Sequence, residues 1–215
     1  MIYFISDPHW GENMEGFRRY EALRKEGDLL IVLGDLGLYF TDTEESRRFD
    51  EYFLSLPFPV ALVDGNHENF DRLASFPEEE MWGGKVRRLS KNAVWLRRGR
   101  VFTIEGKRFF VMGGCKSSAK WEAMGLHYLG DEPSEDELAL AYESLAACGN
   151  RVDYVLTHKY RLEDPDAPRL SFQGLLHFIE NNVTYTHWYS GHWHAGFSLD
   201  EKHTVVYDTP VLLAL

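Results

Sequence analysis

Short apolar runs alternate with amphipathic stretches along the first third of the chain. Ile2–Ile5, Leu29–Leu33 and Val60–Val63 read as buried strands. Between the last two, Thr41 and Glu44 have capping-box spacing, and Phe49, Tyr52, Phe53 and Leu56 share one helical face until Pro57 and Pro59 intervene. Strand, helix, strand, helix, strand predicts an α/β sheet with mostly parallel neighbours.

The pattern then shortens. Val94–Leu96, Arg100–Ile104 and Arg108–Met112, separated by glycine-bearing turns and closed by Gly113-Gly114, predict a β-meander. A second capping box, Ser134 with Glu137, opens a helix carrying Leu138, Ala141, Tyr142 and Leu145. Val152–Leu156 is a further strand, and Phe172, Leu175, Leu176 and Ile179 form a third helical stripe. Tyr185–Ser190, Phe197–Leu199 and Thr204–Tyr207 read as closing strands. No repeat or linker breaks the 215 residues, which predicts a single domain over 1–215.

Composition narrows the function. A net charge of −11 argues against bulk binding to nucleic acid or an acidic membrane surface. No apolar run spans a bilayer and the first residues lack the features of a signal peptide, so a cytoplasmic protein is expected. Cys115 and Cys148 cannot build a disulfide framework or a four-cysteine metal site.

The informative excess is nine histidines. Five apolar runs end in the same chemistry: Asp7-Pro-His9, Gly34-Asp35, Asp64-Gly-Asn66-His67-Glu68, Thr157-His158 and Gly191-His192-Trp-His194. Ligands of open α/β sheets bind beyond the carboxyl ends of strands, so these groups would share one cleft. If the chain were extended there, Asp7 with His9, and His192 with His194, would point the same way, with Gly34, Gly65 and Gly191 supplying sharp turns. Imidazole, carboxylate and one carboxamide, with no thiolate, suit Mn, Fe or Zn in an open site. Seven candidate ligands exceed what one open ion takes, but suit two divalent ions sharing a carboxylate. With only Asp7 and Asp35 negative, such a pair keeps positive charge that would attract a phosphate ester.

In order and spacing this set resembles the calcineurin-like metallophosphoesterase superfamily. The resemblance implies two mixed β-sheets packed as a sandwich flanked by helices, with the active site at strand C-terminal ends. It implies Asp7, His9 and His194 on one metal, Asn66, His158 and His192 on the other, and Asp35 between them. His67 would be the catalytic histidine that steadies the phosphate or protonates the leaving group, with a metal-bridging hydroxide attacking a phosphate mono- or diester. The expected partner is a phosphorylated small molecule or nucleotide, and manganese the expected metal, with iron or zinc as alternatives. Gly34-Asp35 continues into Leu36-Gly-Leu rather than the Asp-Arg-Gly of the protein Ser/Thr phosphatases, which disfavours phosphoprotein substrates, and the stretch from Gly113-Gly114 through Asp131-Glu-Pro-Ser134 to Thr157-His158 is more similar to small bacterial or phage-type phosphoesterases.

Two other functions compete. A basic stretch, Lys85, Arg87, Arg88, Lys91, Arg97, Arg98, Arg100, Lys107 and Arg108, motivates a metallonuclease or nucleotide phosphodiesterase. A non-catalytic scaffold of the same fold is the other, disfavoured by the complete ligand set. His177 reads as a solvated helix residue, His187 and His203 as structural, and His127 as an exposed loop residue. The sequence sets no oligomeric state.

Overall fold

The computed structural model describes residues 1–125 and 127–213. Its strands are β1 (Ile2–Ile5), β2 (Leu29–Leu33), β3 (Val60–Val63), β4 (Glu78–Met81), β5 (Gly84–Arg88), β6 (Ala93–Leu96), β7 (Arg100–Ile104), β8 (Lys107–Met112), β9 (Tyr154–Thr157), β10 (His187–Ser190), β11 (Phe197–Ser198), β12 (His203–Val205) and β13 (Val211–Leu213). Helices α1 (Glu15–Leu23), α2 (Glu44–Ser55), α3 (Phe70–Ala74), α4 (Ala119–Ala123), α5 (Glu135–Ala147) and α6 (Phe172–Asn182) intervene.

Two mixed sheets result, one ordered β13-β1-β2-β3-β6-β5-β4 and the other β11-β12-β10-β9-β8-β7. Strand parity explains why the runs are continuously apolar. Ile2, Phe4, Ile31 and Leu33 face the second sheet, packing with Phe109, Val111, Tyr154 and Leu156, whereas Tyr3, Ile5, Leu30 and Val32 face Phe17, Tyr20, Phe49 and Phe53 of α1 and α2. The second sheet repeats the device: Phe110, Met112, Val155 and Trp188 pack on Leu138, Leu145, Leu175 and Ile179 of α5 and α6. The expected sandwich flanked by helices is therefore the observed fold.

Several local expectations need correction. The Ser134–Glu137 capping box is present in both halves. Helix α2, however, is capped by Thr43, whose hydroxyl accepts from the Ser46 N–H, while Thr41 bonds only the Thr43 hydroxyl. The expected β6-β7-β8 meander does not form: β6 lies in the first sheet, parallel to β3 and antiparallel to β5, and of the three only β7 and β8 pair as a hairpin, in the second. Strands β4, β5 and β13 were not expected. β4 and β5 escape an apolar-run reading because their register sets Glu78 against Arg87 and Glu80 against Lys85, so cross-strand charge stands in for hydrophobic alternation.

Candidate metal centre

β1, β2 and β3 run parallel, as do β8, β9 and β10. Their carboxyl ends meet at one edge of the sandwich and are laced together. The Asp7 N–H donates to Gly34 O at 3.1 Å, His9 N–H to Asp35 O at 2.9 Å, and Gly191 N–H to His158 O at 2.7 Å. The backbone there is not extended. Asp7, His9, Asp35, His192 and His194 all have positive φ, between 44° and 75°, so the paired side chains converge from tight left-handed turns rather than by strand parity.

Of the three glycines credited with sharp turns, only Gly34 has a positive φ, +95°. Gly65 and Gly191 serve close approach instead: a Cβ would run into the Asp35 carboxylate and backbone N–H at the first, and into the Ser6 hydroxyl at the second. Gly65→Ala should therefore displace Asp35 and lower bound divalent metal by about tenfold or more in affinity, with unchanged far-ultraviolet circular dichroism. Unchanged metal binding in a folded variant would refute this reading.

All seven expected ligands arrive at this edge, in two groups. In one, donor atoms of Asp7, His9, Asp35 and His194 lie within 4.8 Å of one another. His9 Nε2 is 2.8 Å from His194 Nε2, 3.8 Å from Asp7 Oδ1 and 3.7 Å from Asp35 Oδ2. In the other, His158 Nε2 is 3.1 Å from His192 Nδ1 and 3.4 Å from Asp35 Oδ1. Asp35 thus turns one carboxylate oxygen to each group. Asn66 joins the second group through Cys115, whose Sγ lies 3.0 Å from Asn66 Oδ1.

The donor chemistry fits cations. Asp7 Oδ1 is buried without a hydrogen-bond partner, which is costly for a carboxylate unless positive charge faces it. Burial lowers the pKa of His9, and burial with neighbouring His158 takes His192 down to about 3, so both present lone pairs. Burial opposes charge on His158 as well, but the Asp35 carboxylate outweighs it and raises His158 to about 9. Against the effect of burial, His158 foremost, with His9 and His67, holds Asp35 well below the usual carboxylate range. The Asp7 carboxylate raises His194, which at 52% side-chain exposure opens the first group to solvent.

Supporting residues were less visible in the sequence. Glu68, fully buried, accepts from the Leu36, Gly37 and Gly65 N–H groups at 2.9, 3.0 and 3.3 Å, tying the Asp35 loop to the Asn66 loop. Burial pushes its carboxyl up to about 8. His67 N–H donates to Asp35 Oδ1 at 2.8 Å, and its ring lies 5.4 Å from that of His9 among Trp10, Phe40 and Trp121. Its Nδ1 is buried without a partner, and burial lowers its pKa.

Cys115 adds a thiol to the donors expected from the sequence. Because β8 runs parallel to β9, the Gly113-Gly114 exit delivers this buried side chain beside His158 and His192. Burial pushes its thiol well up. The basic stretch supplies another correction. Lys85 and Arg87 pair with Glu78, Arg88 with Glu79, Arg97 with Glu137, and Arg98 with buried Asp64. Five of the nine cations are thus held by carboxylates of the chain itself, Arg98 in a buried pair.

Of the remaining histidines, His203 is buried between Asp200, Glu180 and Tyr185, and His187 bonds Thr204, so both are structural. His177 is half-buried rather than solvated, as is His127 rather than exposed. No helix among the described residues is long and apolar enough to cross a membrane.

A family model described as calcineurin-like phosphoesterase matches residues 1–196. No curated protein matches the chain. Among solved structures, a protein of unknown function from Aquifex aeolicus is similar at 16% identity over 86% of this chain and 87% of that one, with a TM-score of 0.43.

Proposed function

The chain belongs to the calcineurin-like phosphoesterase family, and on that premise we propose that it hydrolyses phosphate mono- or diesters of small molecules or nucleotides with two divalent ions. The observation that carries this reading is Asp35, one carboxylate oxygen toward each group of donors. Asp7, His9 and His194 would hold one ion, Asn66, His158 and His192 the other, with Asp35 shared. Bound there, the pair would supply Lewis-acid polarisation of the phosphoryl group and an activated water.

The chain's own residues do the rest. Asp7 and Asp35 are the only carboxylates in the proposed ligand set, so two ions leave a net positive charge where a phosphate enters, in keeping with phosphate esters. The solvent-facing His194 side marks the entry, while buried Asp35 and His158 form the floor. His67, anchored through its backbone to Asp35, presents an imidazole to the same space. It donates a hydrogen bond to the scissile phosphate or a proton to the leaving oxygen. Internal pairing of Lys85, Arg87, Arg88, Arg97 and Arg98 weakens the support for the metallonuclease alternative.

Chelator-stripped protein, reloaded with Mn²⁺, Zn²⁺ or Co²⁺, should bind two ions and hydrolyse an aryl phosphate or bis-aryl phosphate. Metal-replete protein that leaves a panel of both ester types intact would sink the proposal. His67→Ala should retain two ions but lose about 10²–10⁴ in turnover. Were His67 the proton donor, the loss would be larger for alkyl than for aryl leaving groups. An equal loss assigns it to phosphate binding, and loss of the metals would reject both roles.

A further inference from the structure

We propose that Cys115 is a ligand of the second metal position, making it a mixed nitrogen, oxygen and sulfur site with Asn66, His158 and His192. This rests on the two-ion reading above and adds a donor that reading did not include.

Four observations converge. Cys115 Sγ is 3.0 Å from Asn66 Oδ1 and 3.7 Å from His192 Nδ1, and His192 Nδ1 is 3.1 Å from His158 Nε2. Donors held at about 2.0–2.3 Å from one ion, at right or tetrahedral angles, stand roughly 2.8–3.8 Å apart, so all three edges have the length that ligands of a single cation require. His158 is aimed: its Nδ1 is bound to Leu33 O at 2.8 Å, leaving Nε2 to face the other donors. Asn66 is aimed too, its amide nitrogen 3.4 Å from the Ser117 hydroxyl and its carbonyl oxygen turned toward Cys115. The thiol itself is 1% exposed, so nothing but these partners competes for it.

Coordination would exchange the thiol proton, released to solvent, for a sulfur–metal bond, with no change of oxidation state. A thiolate is soft, so the second position would select zinc or cobalt over manganese more sharply than the Asp7, His9, His194 group does. The two positions would then differ in preferred metal.

Cobalt provides the test. Titrated into chelator-stripped protein, Co²⁺ should produce an intense near-ultraviolet sulfur-to-cobalt band that saturates with one of two bound equivalents. Cys115→Ser should lose the band and bind its second zinc about tenfold or more weakly. Cys148→Ser, altered at the C-terminal cap of α5, should keep both. The wild-type spectrum decides even where a variant folds poorly. Two bound cobalt ions without the band, or a band surviving in Cys115→Ser, would overturn the assignment of Cys115 alone and leave the two-ion reading standing. A stoichiometry of one with the band would uphold Cys115 and overturn the ion pair, and no cobalt bound would overturn both.

Discussion

Asp35→Ala should reduce hydrolysis of an aryl phosphate by at least about a thousandfold. The carboxylate faces both donor groups, so its loss removes a shared charge from each, and Lewis-acid stabilisation is worth several kcal/mol at about 1.4 kcal/mol per tenfold. It also frees the His67 N–H that the same oxygen holds at 2.8 Å. Metal content should fall below two ions per chain, which mass spectrometry reads directly. Asp35→Asn, keeping the shape and an acceptor for His67 but not the charge, should lose metal nearly as completely. A variant with one ion or none and near-native turnover would show that the centre is not where the chemistry occurs.

Arg98→Ala should destabilise the fold by about 3–5 kcal/mol, because it strands a buried carboxylate. Arg98 is 3% exposed and Asp64 is wholly buried; they meet at 2.6 Å, and Asp64 also accepts from Trp95 Nε1 at 2.7 Å. The same guanidinium donates to Gly130 O at 2.9 Å and reaches Glu137 at 3.3 Å, joining the exit of β3 to the start of α5. At about 2–4 °C per kcal/mol for a chain of this size, the melting temperature should drop by roughly 6–20 °C. Arg98→Lys should recover part of that, keeping the charge without the fork that serves four acceptors. A shift within a degree or two for the alanine variant would mean that Asp64 is relieved some other way. The effect should reach the second metal position as well. Asp131, whose carbonyl Arg98 contacts, holds the Ser117 N–H, and Ser117 holds the Asn66 amide.

Much of the donor set is legible in the sequence because its chemistry is local. Each of Asp7-x-His9, Gly34-Asp35, Gly65-Asn66-His67-Glu68, His158 and His192-x-His194 follows directly on an apolar run, and a run buried on both faces is hard to mistake for anything but an interior strand. What local reading supplies wrongly is the reason for convergence. Alternation along an extended chain seemed to pair Asp7 with His9, whereas left-handed turns do so. Similarly, Gly65 looks like a turn residue but exists to leave room for Asp35.

Residues that matter only through partners stayed hidden. Arg98 read as one cation in a basic stretch, since nothing in its neighbourhood announces Asp64, 34 positions earlier. Cys115 reads only as one of two cysteines too few for a disulfide framework or a four-cysteine site. Its place depends on β8 lying parallel to β9, a pairing set by how the second sheet packs. Charged β4 and β5 were missed for the same reason, as their glutamates and arginines answer each other only once the hairpin has formed.

The sequence by itself determined which side chains are available and that strand ends present them, because hydrophobic periodicity and strand-end chemistry are properties of neighbouring residues. Only the tertiary structure decided that His9 and His194, 185 positions apart, stand 2.8 Å from each other, that Asp35 faces both groups, and that a thiol joins the second. Those distances follow from strand order across two packed sheets. Contacts between segments far apart in the chain are selected by burial of the whole core rather than by any one stretch of it.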